Sequence, residues 1–328
     1  MGVGFGRSAN RNNSLPSFLT KRKINTDLQD SSSGPIQEEM IPFQLLLQSI
    51  VSGLLMGGIY ALVAVGLSLI FGLMNIVNFA HGDYLMLAMY ATFWAFQLLK
   101  WDPLVTLPLV MVVWFFAGAG TYRVFIRRIL DAPMVAQMFC TFGLGLFLRY
   151  AAYFFWSADV RKVGDNALSG ILDLGNIFVT KAELAAFFGS LAATLLLFLF
   201  IKKTRIGKAI QATSQNREAA IEMGIYTDRV NAIGWGLGIM CVGIGGVLLA
   251  TFYPIHIYSG WMFSLISYIA VALGGFGSFW GVYLGGLIIG LIENVFGTVF
   301  VPTFKMVFVY AAFVFVLIYK PKGLFGKF

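Results

Sequence analysis

Residues 207–228 read GKAIQATSQNREAAIEMGIYTD, a long and clearly polar stretch lying between two strongly apolar ones. Lys208, Arg217, Glu218 and Glu222 fall inside it, and Lys202, Lys203 and Arg205 stand just before it. The apolar runs around it approach or exceed the roughly 20 residues needed to cross a bilayer. A chain so apolar has little reason to keep this loop unless something outside the membrane docks there.

Composition points the same way. Of 328 residues, 59% are hydrophobic and 12% charged, where a soluble domain carries about 25% charge; the mean hydropathy is +0.81. The fold class is all-α, a polytopic membrane helical bundle of about 8–9 spans with broken or re-entrant segments. The apolar runs are continuous rather than alternating over about 10 residues, which argues against an outer-membrane barrel. The 37 glycines suit helices that pack closely in lipid. The net charge of +8 sits mostly in short loops, so orientation and anionic headgroups explain it, and nucleic acid is not an expected partner. Cys140 and Cys241 lie within apolar runs with no metal-binding spacing, which argues against a disulfide framework or zinc site.

Residues 1–41 are polar and read as a disordered tail with neither a signal-peptide core nor a myristoylation signal. Residues 42–328 form the transmembrane domain. Its first apolar run, Phe43 to about Phe71, breaks into FGLMNIVNFAHGDY at 71–84, and a second continues to Leu99. Further spans are expected at about 104–126, 133–157 and 182–201, with a polar loop at 158–181 that has room for a small hairpin. After the central loop, 202–229, come spans at about 230–252, 263–275 and 282–300, and a last one from Pro302 to Tyr319. The uncharged segment YPIHIYSGWM, 253–262, and GGFGSFWG, 274–281, interrupt this second half.

Lys and Arg in short loops set orientation. Arg123, Arg127 and Arg128, the central loop and the C-terminal lysines should face the cytoplasm. Counting back then places the N-terminal tail outside, against the preference of Lys21-Arg22-Lys23. A partial extra crossing within 43–84 would reconcile the two.

Three constellations carry candidate chemistry. Glu218 to Gly224 reads as a short helix ended by glycine, with Ala219, Ala220 and Met223 as an apolar face for a partner's groove or for headgroups. Asn75, Asn78, His81 and Asp83 crowd the first break; they either line a wet path or hold the bend by bonding backbone. The second interrupted segment, with His256 and Gly260, is a candidate repeat of the first. Glu293 stands in an apolar span, either as a functional carboxylate or in a structural ion pair, with Lys305 or Asn294 as partners. Arg149, beside Tyr150 and Tyr153, is expected to snorkel outward. Gly53/Gly57, Gly234/Gly238, Gly281/Gly285 and Gly286/Gly290 are packing pairs, and Trp94, Trp101, Trp261 and Trp280 are expected as interfacial anchors.

The pattern E-A-A-x-x-x-G at 218–224 resembles the core of the cytoplasmic coupling motif of ABC-importer permeases, although the I-x-L-P continuation is missing. GGIYALVAVGLSLIFGLMNIVNFAHGDYLML at 57–87 resembles the first block of permeases for branched-chain amino acids, the H-type subunit of the LIV system. GIYTDRVNAIGW at 224–235 and ISYIAVALGGFGSFWGVYLGGLIIGLIE at 266–293 resemble later blocks, and the likeness covers about residues 43–327 in order. It implies a multi-pass subunit of a bacterial inner membrane importer for branched-chain or other hydrophobic amino acids. Two ATP-binding cassette ATPases, an extracytoplasmic solute-binding protein and a second, M-type permease would be its partners. Arg217, Glu218, Ala219, Ala220, Glu222 and Gly224 would couple to the ATPases; Asn75, Asn78, His81, Asp83 and Glu293 are candidates for the path. Relatives that carry urea, amides or other small polar solutes keep a second cargo open, and an ATP-independent channel or carrier is the alternative from another class.

The chain holds no GxxxxGK[ST], since Gly207-Lys208 and Gly326-Lys327 lack the rest of that loop, so a nucleotide-driven pump needs a separate ATPase. With no nucleophile–base pair and no metal spacing, an enzyme is not expected, nor a cofactor.

Overall fold

The computed structural model describes Gly2 and residues 43–173, 175 and 177–326. The expectation of a disordered tail over 1–41 falls, Gly2 apart, outside the described residues. Among those described, eleven α-helices and one small hairpin follow in chain order.

α1 (Phe43–Met74) runs 32 residues without interruption, about 48 Å at 1.5 Å per residue. It is apolar on every side because it is buried on nearly every side. Asn75 ends it in the left-handed conformation, φ 54°, its N–H donating to the Phe71 carbonyl; Asn tolerates that conformation better than most residues. Residues 75–80 then carry the chain back into the bundle. α2 (His81–Leu99) starts with the His81 ring on the Val63 carbonyl, 2.9 Å away, eleven residues short of the end of α1. That is a return of about 16 Å. The chain thus turns back alongside α1 at the break, and α1 itself runs unbroken. Phe43 lies at the same end of the bundle as the hairpin, where Gln48 pairs with the backbone of Phe178 at 2.7 and 2.8 Å.

α3 (Pro103–Val124) opens on Pro103 with Asp102 as its cap, a good start for a helix. A short 3-10 turn, Ile126–Ile129, links it to α4 (Met134–Trp156). Strands β1 (Ile171–Asp173) and β2 (Phe178–Thr180) pair antiparallel, forming the small hairpin for which 158–181 had room. α5 (Lys181–Lys203) starts from a full capping box between Thr180 and Glu183. At the other end lie α6 (Arg205–Gln215) and α7 (Arg217–Glu222). α8 (Thr227–Ala250) returns through the core, α9 (Ser259–Gly274) begins again inside the bundle, and α10 (Phe279–Val299) and α11 (Lys305–Tyr319) complete it.

α1 and α8 are the centre. In the apolar window of α8, 89% of residues are buried, against 6% for the helix that ends the chain. α10 lies along α1, and α3 along α8. Glycine lets these backbones meet: a Cβ on Gly57 would stand 2.9 Å from Leu287 Cα, and one on Gly118 would stand 2.9 Å from the Trp235 carbonyl. α1 and α8 cross at Gly66 and Gly238, where a Cβ on either would come within 2.7 Å of the other's carbonyl oxygen. Such close backbone approach is how helices hold together in lipid, where no hydrophobic effect separates helix from tail. The glycine pairs noted in the sequence thus pack within the chain, Gly53 and Gly57 against Gly286 and Gly290 among them.

Two half-length arrangements mirror each other. The return at 75–80 leads to α2, and the return at 251–258 leads to α9; the two helix starts abut at Gly82 and Gly260. Among the described residues, seven helices are long and apolar enough to cross a membrane, and the chain is a helical membrane bundle.

Candidate functional site

At the end of the bundle opposite the hairpin, Thr204 caps α6 by accepting from Gly207 N–H at 2.9 Å. α6 buries Gly207, Ile210 and Thr213, half-buries Ala209 and Ala212, and turns its remaining residues outward. It occupies residues read in the sequence only as polar loop; the Thr204 cap and an apolar stripe were the available signals. Asn216 starts α7, its side chain accepting from Ala219 N–H at 3.0 Å. Gly224, φ 79°, stops it, and Ile225 N–H returns to the Ala220 carbonyl at 3.0 Å.

The face of α7 differs from the sequence reading. Ala220 is buried and anchors the helix. The outward apolar residues are Ala219, Ile221 and Met223, the last 83% exposed. Arg217, Glu218 and Glu222 surround them in solvent. Beside α7 lies a cleft of about 560 Å³ bordered by Arg123, Arg127, Arg217 and Arg229. Asp228 ties its floor together, binding Arg127 at 2.7 Å and accepting from the Tyr122 hydroxyl at 3.3 Å.

Inside the bundle the expected polar cluster divides. Asn75 is exposed at the end of α1. Asn78, His81 and Asp83 are buried together around the start of α2. Asn78 Oδ1 accepts from Ala80 N–H at 3.1 Å, and its carbonyl takes the Tyr268 hydroxyl. Gly82 N–H donates to Ser264 at 2.8 Å. Asp83 receives Arg149 through Nε at 3.0 Å and Nη2 at 3.2 Å, a two-pronged pair. Arg149 therefore does not snorkel outward. It turns inward because a buried carboxylate is there to meet it, and its guanidinium lies 5.3 Å from the Trp261 ring centre. Trp261 thus stands against Arg149 at the start of α9. His256 is not the counterpart of His81: opposite Gly82 stands Gly260, which aligns His81 with Ser259. His256 instead accepts from Tyr258 N–H at 3.2 Å.

Glu293 stands apart from this cluster. Its two oxygens are taken by the Tyr60 hydroxyl and by Lys305, each at 2.6 Å. Lys305 was among the partners read from the sequence; Tyr60, 233 residues away, was not. A cavity of about 250 Å³ opens beside the pair.

Comparison with known proteins agrees with this architecture. The family described as the branched-chain amino acid transport system permease component matches residues 49–317. The high-affinity branched-chain amino acid transport system permease protein LivH of Salmonella typhimurium is 29% identical over 87% of this chain and 97% of its own length. BraD of Pseudomonas aeruginosa is 27% identical over 86% of this chain and 96% of its own. A probable LivH of Methanocaldococcus jannaschii is 28% identical over 71% of this chain and 75% of its own. No solved structure matches the chain. A long apolar α1, the glycine-joined broken helices and a capped polar elbow thus lie inside one continuous family match, and the chain belongs to the branched-chain amino acid transport system permease component family.

Proposed function

We propose that this chain is the permease subunit of an ATP-driven importer that moves branched-chain amino acids across a bacterial inner membrane. The observation that carries this is the family match across nearly all of residues 43–327. The chain makes nine crossings: seven by the long helices, and two by the broken segments 75–99 and 251–274. The end holding α6 and α7 is cytoplasmic, since Arg123, Arg127, Arg128, Lys202, Lys203, Arg205, Lys208, Arg217 and Arg229 gather there. Residues 42–328 act as one permease domain with a coupling loop at 202–229.

Separate ATPase subunits press on α7 through Ala219, Ile221 and Met223, with Arg217, Glu218 and Glu222 at the rim and Gly224 as the stop that sets the helix's angle to α8. An exposed apolar face ringed by charge is what a partner's groove takes up. A solute-binding protein meets the hairpin end, and a second permease completes the conduit. The path candidates are Asn75, Asn78, His81, Asp83 and Glu293, with Glu293 foremost because a cavity reaches it. ATP hydrolysis belongs to the partners.

The test is Gly224→Val in the full complex. A β-branched residue is strained at φ 79°, so α7 should tilt. ATP-driven leucine uptake should fall about tenfold or more, the scale of a 1.4 kcal/mol change, while the subunit still inserts. Uptake that persists with residues 218–224 scrambled would remove the coupling role.

A further inference from the structure

We infer that the cavity beside Glu293 and Lys305 binds a small zwitterion with an apolar side chain, that is, the free α-amino acid itself in transit. This rests on the transport reading above and places its cargo. The cavity lies toward the hairpin end, between α1, the first turn of α5, the start of α9, α10 and the first turn of α11. Its volume, about 250 Å³, is below the roughly 300–1,000 Å³ of pockets for drug-sized ligands, which suits one amino acid. Its walls separate by chemistry. Met56, Phe252, Met262, Phe263 and Met306 are apolar, and Glu293 with Lys305 supplies opposite charges; the other carboxylate of the lining, Glu183, is held by Thr180 in the capping box of α5.

The pair is built to exchange. Glu293 is buried, and Tyr60 fixes one of its oxygens from below. Lys305 makes its single ion pair from a side chain 42% exposed. It is also the first residue of α11, where the helix dipole disfavours a cation, so helix stability does not explain it. An entering ammonium can take the Glu293 oxygen that Lys305 holds, while Lys305 swings to the ligand's carboxylate at the positive end of α11. One ion pair becomes two, and no charge is left unpaired in an apolar setting. A ligand bearing only an anion would draw Lys305 away from the buried Glu293, which is strongly unfavourable, and one bearing only a cation would leave Lys305 without its counter-ion. Charge pairing thus selects zwitterions, and the thioether and aromatic walls select apolar side chains.

The test uses the complete transporter and a diazirine analogue of leucine that keeps both charges. On irradiation, adducts should appear on Met262, Met306 or their neighbours. Leucine should compete them away, whereas isovalerate and isoamylamine, each lacking one charge, should compete at least about tenfold less well, as loss of one charged hydrogen bond implies. The double variant E293Q/K305M should assemble and lose the adducts. Absence of adducts from these segments, equal competition by the singly charged analogues, or labelling kept in the variant overturns the site. Leucine uptake by the wild-type complex is read separately. If uptake is seen and labelling is not, the site alone is lost; if the wild type imports no branched-chain amino acid, the transport reading falls while the labelling still decides the site.

Discussion

Two carboxylate–cation pairs stand within the apolar part of this bundle, and they are built differently. Asp83 and Arg149 share two hydrogen bonds, with side chains 1% and 13% exposed and Trp261 stacked on the guanidinium. Glu293 and Lys305 share one, with Lys305 partly open and lining a cavity. The closed pair fastens α4, a helix whose aromatic residues other than Trp156 face outward, to the start of α2. The open pair fastens little, because α11 has few buried residues to hold in place. The same two charge types therefore serve as a rivet in one place and as an exchangeable contact in the other, and enclosure decides which.

Arg149→Ala should give the largest effect. It strands a buried carboxylate and frees α4, and breaking one partner of a buried pair costs about 3–5 kcal/mol. The subunit should lose most of its accumulation in membranes, with the thermal midpoint of any survivor lowered. Arg149→Lys should recover only part, since one ammonium cannot reproduce two parallel bonds. Normal accumulation of Arg149→Ala would mean that the closed pair is no rivet.

The second effect concerns how Asp83 is placed. Gly82 and Gly260 pass so closely that a side chain on Gly260 would stand 2.8 Å from the Gly82 carbonyl carbon. Gly82→Leu must push α2 off α9 and carry Asp83 away from Arg149. Overpacking of this kind costs about 1–3 kcal/mol, and the damage should combine non-additively with Arg149→Ala, because both act on one contact. Detergent melting curves of the two single variants and the double variant would show it. Simple additivity would separate the glycine crossing from the pair.

Much of this architecture was legible in the chain. The long apolar runs, the Gly and Asn stop after α1 and the glycine end of α7 all act through local backbone chemistry, so a local reading finds them. Arg149 was misread because nothing near it in sequence shows its partner; Asp83 is 66 residues away. Beside two tyrosines, an arginine on an outer helix has the look of a snorkelling residue until the re-entrant segment brings a carboxylate to its depth. The buried side of α7 was misread for a related reason. Six residues are too few to fix a helix's phase, and burial of Ala220 rather than Ala219 depends on where α8 lies. The re-entry itself was half legible: composition marked the break at 71–84, but the return along α1 depends on the distant Gly82–Gly260 contact.

The smallest effect sharpens the comparison most, because it asks what happens when both charges leave. In E293Q/K305M the new amide keeps a partner for Tyr60, and the new thioether extends a wall already rich in methionine. Replacing a buried pair by neutral groups is often neutral or stabilising, so the stability should fall by no more than about 1 kcal/mol and the melting point should stay close to that of wild type. The matching variant D83N/R149M removes two hydrogen bonds and the stacking on Trp261, and a thioether offers the amide on α2 no donor in place of the guanidinium. It should melt lower than E293Q/K305M, with α4 more readily cut by protease. Equal melting of the two double variants, or the reverse order, would show that enclosure does not set the roles of these pairs. A lower midpoint for D83N/R149M alone would tie the fold to one pair and leave the other free for a ligand.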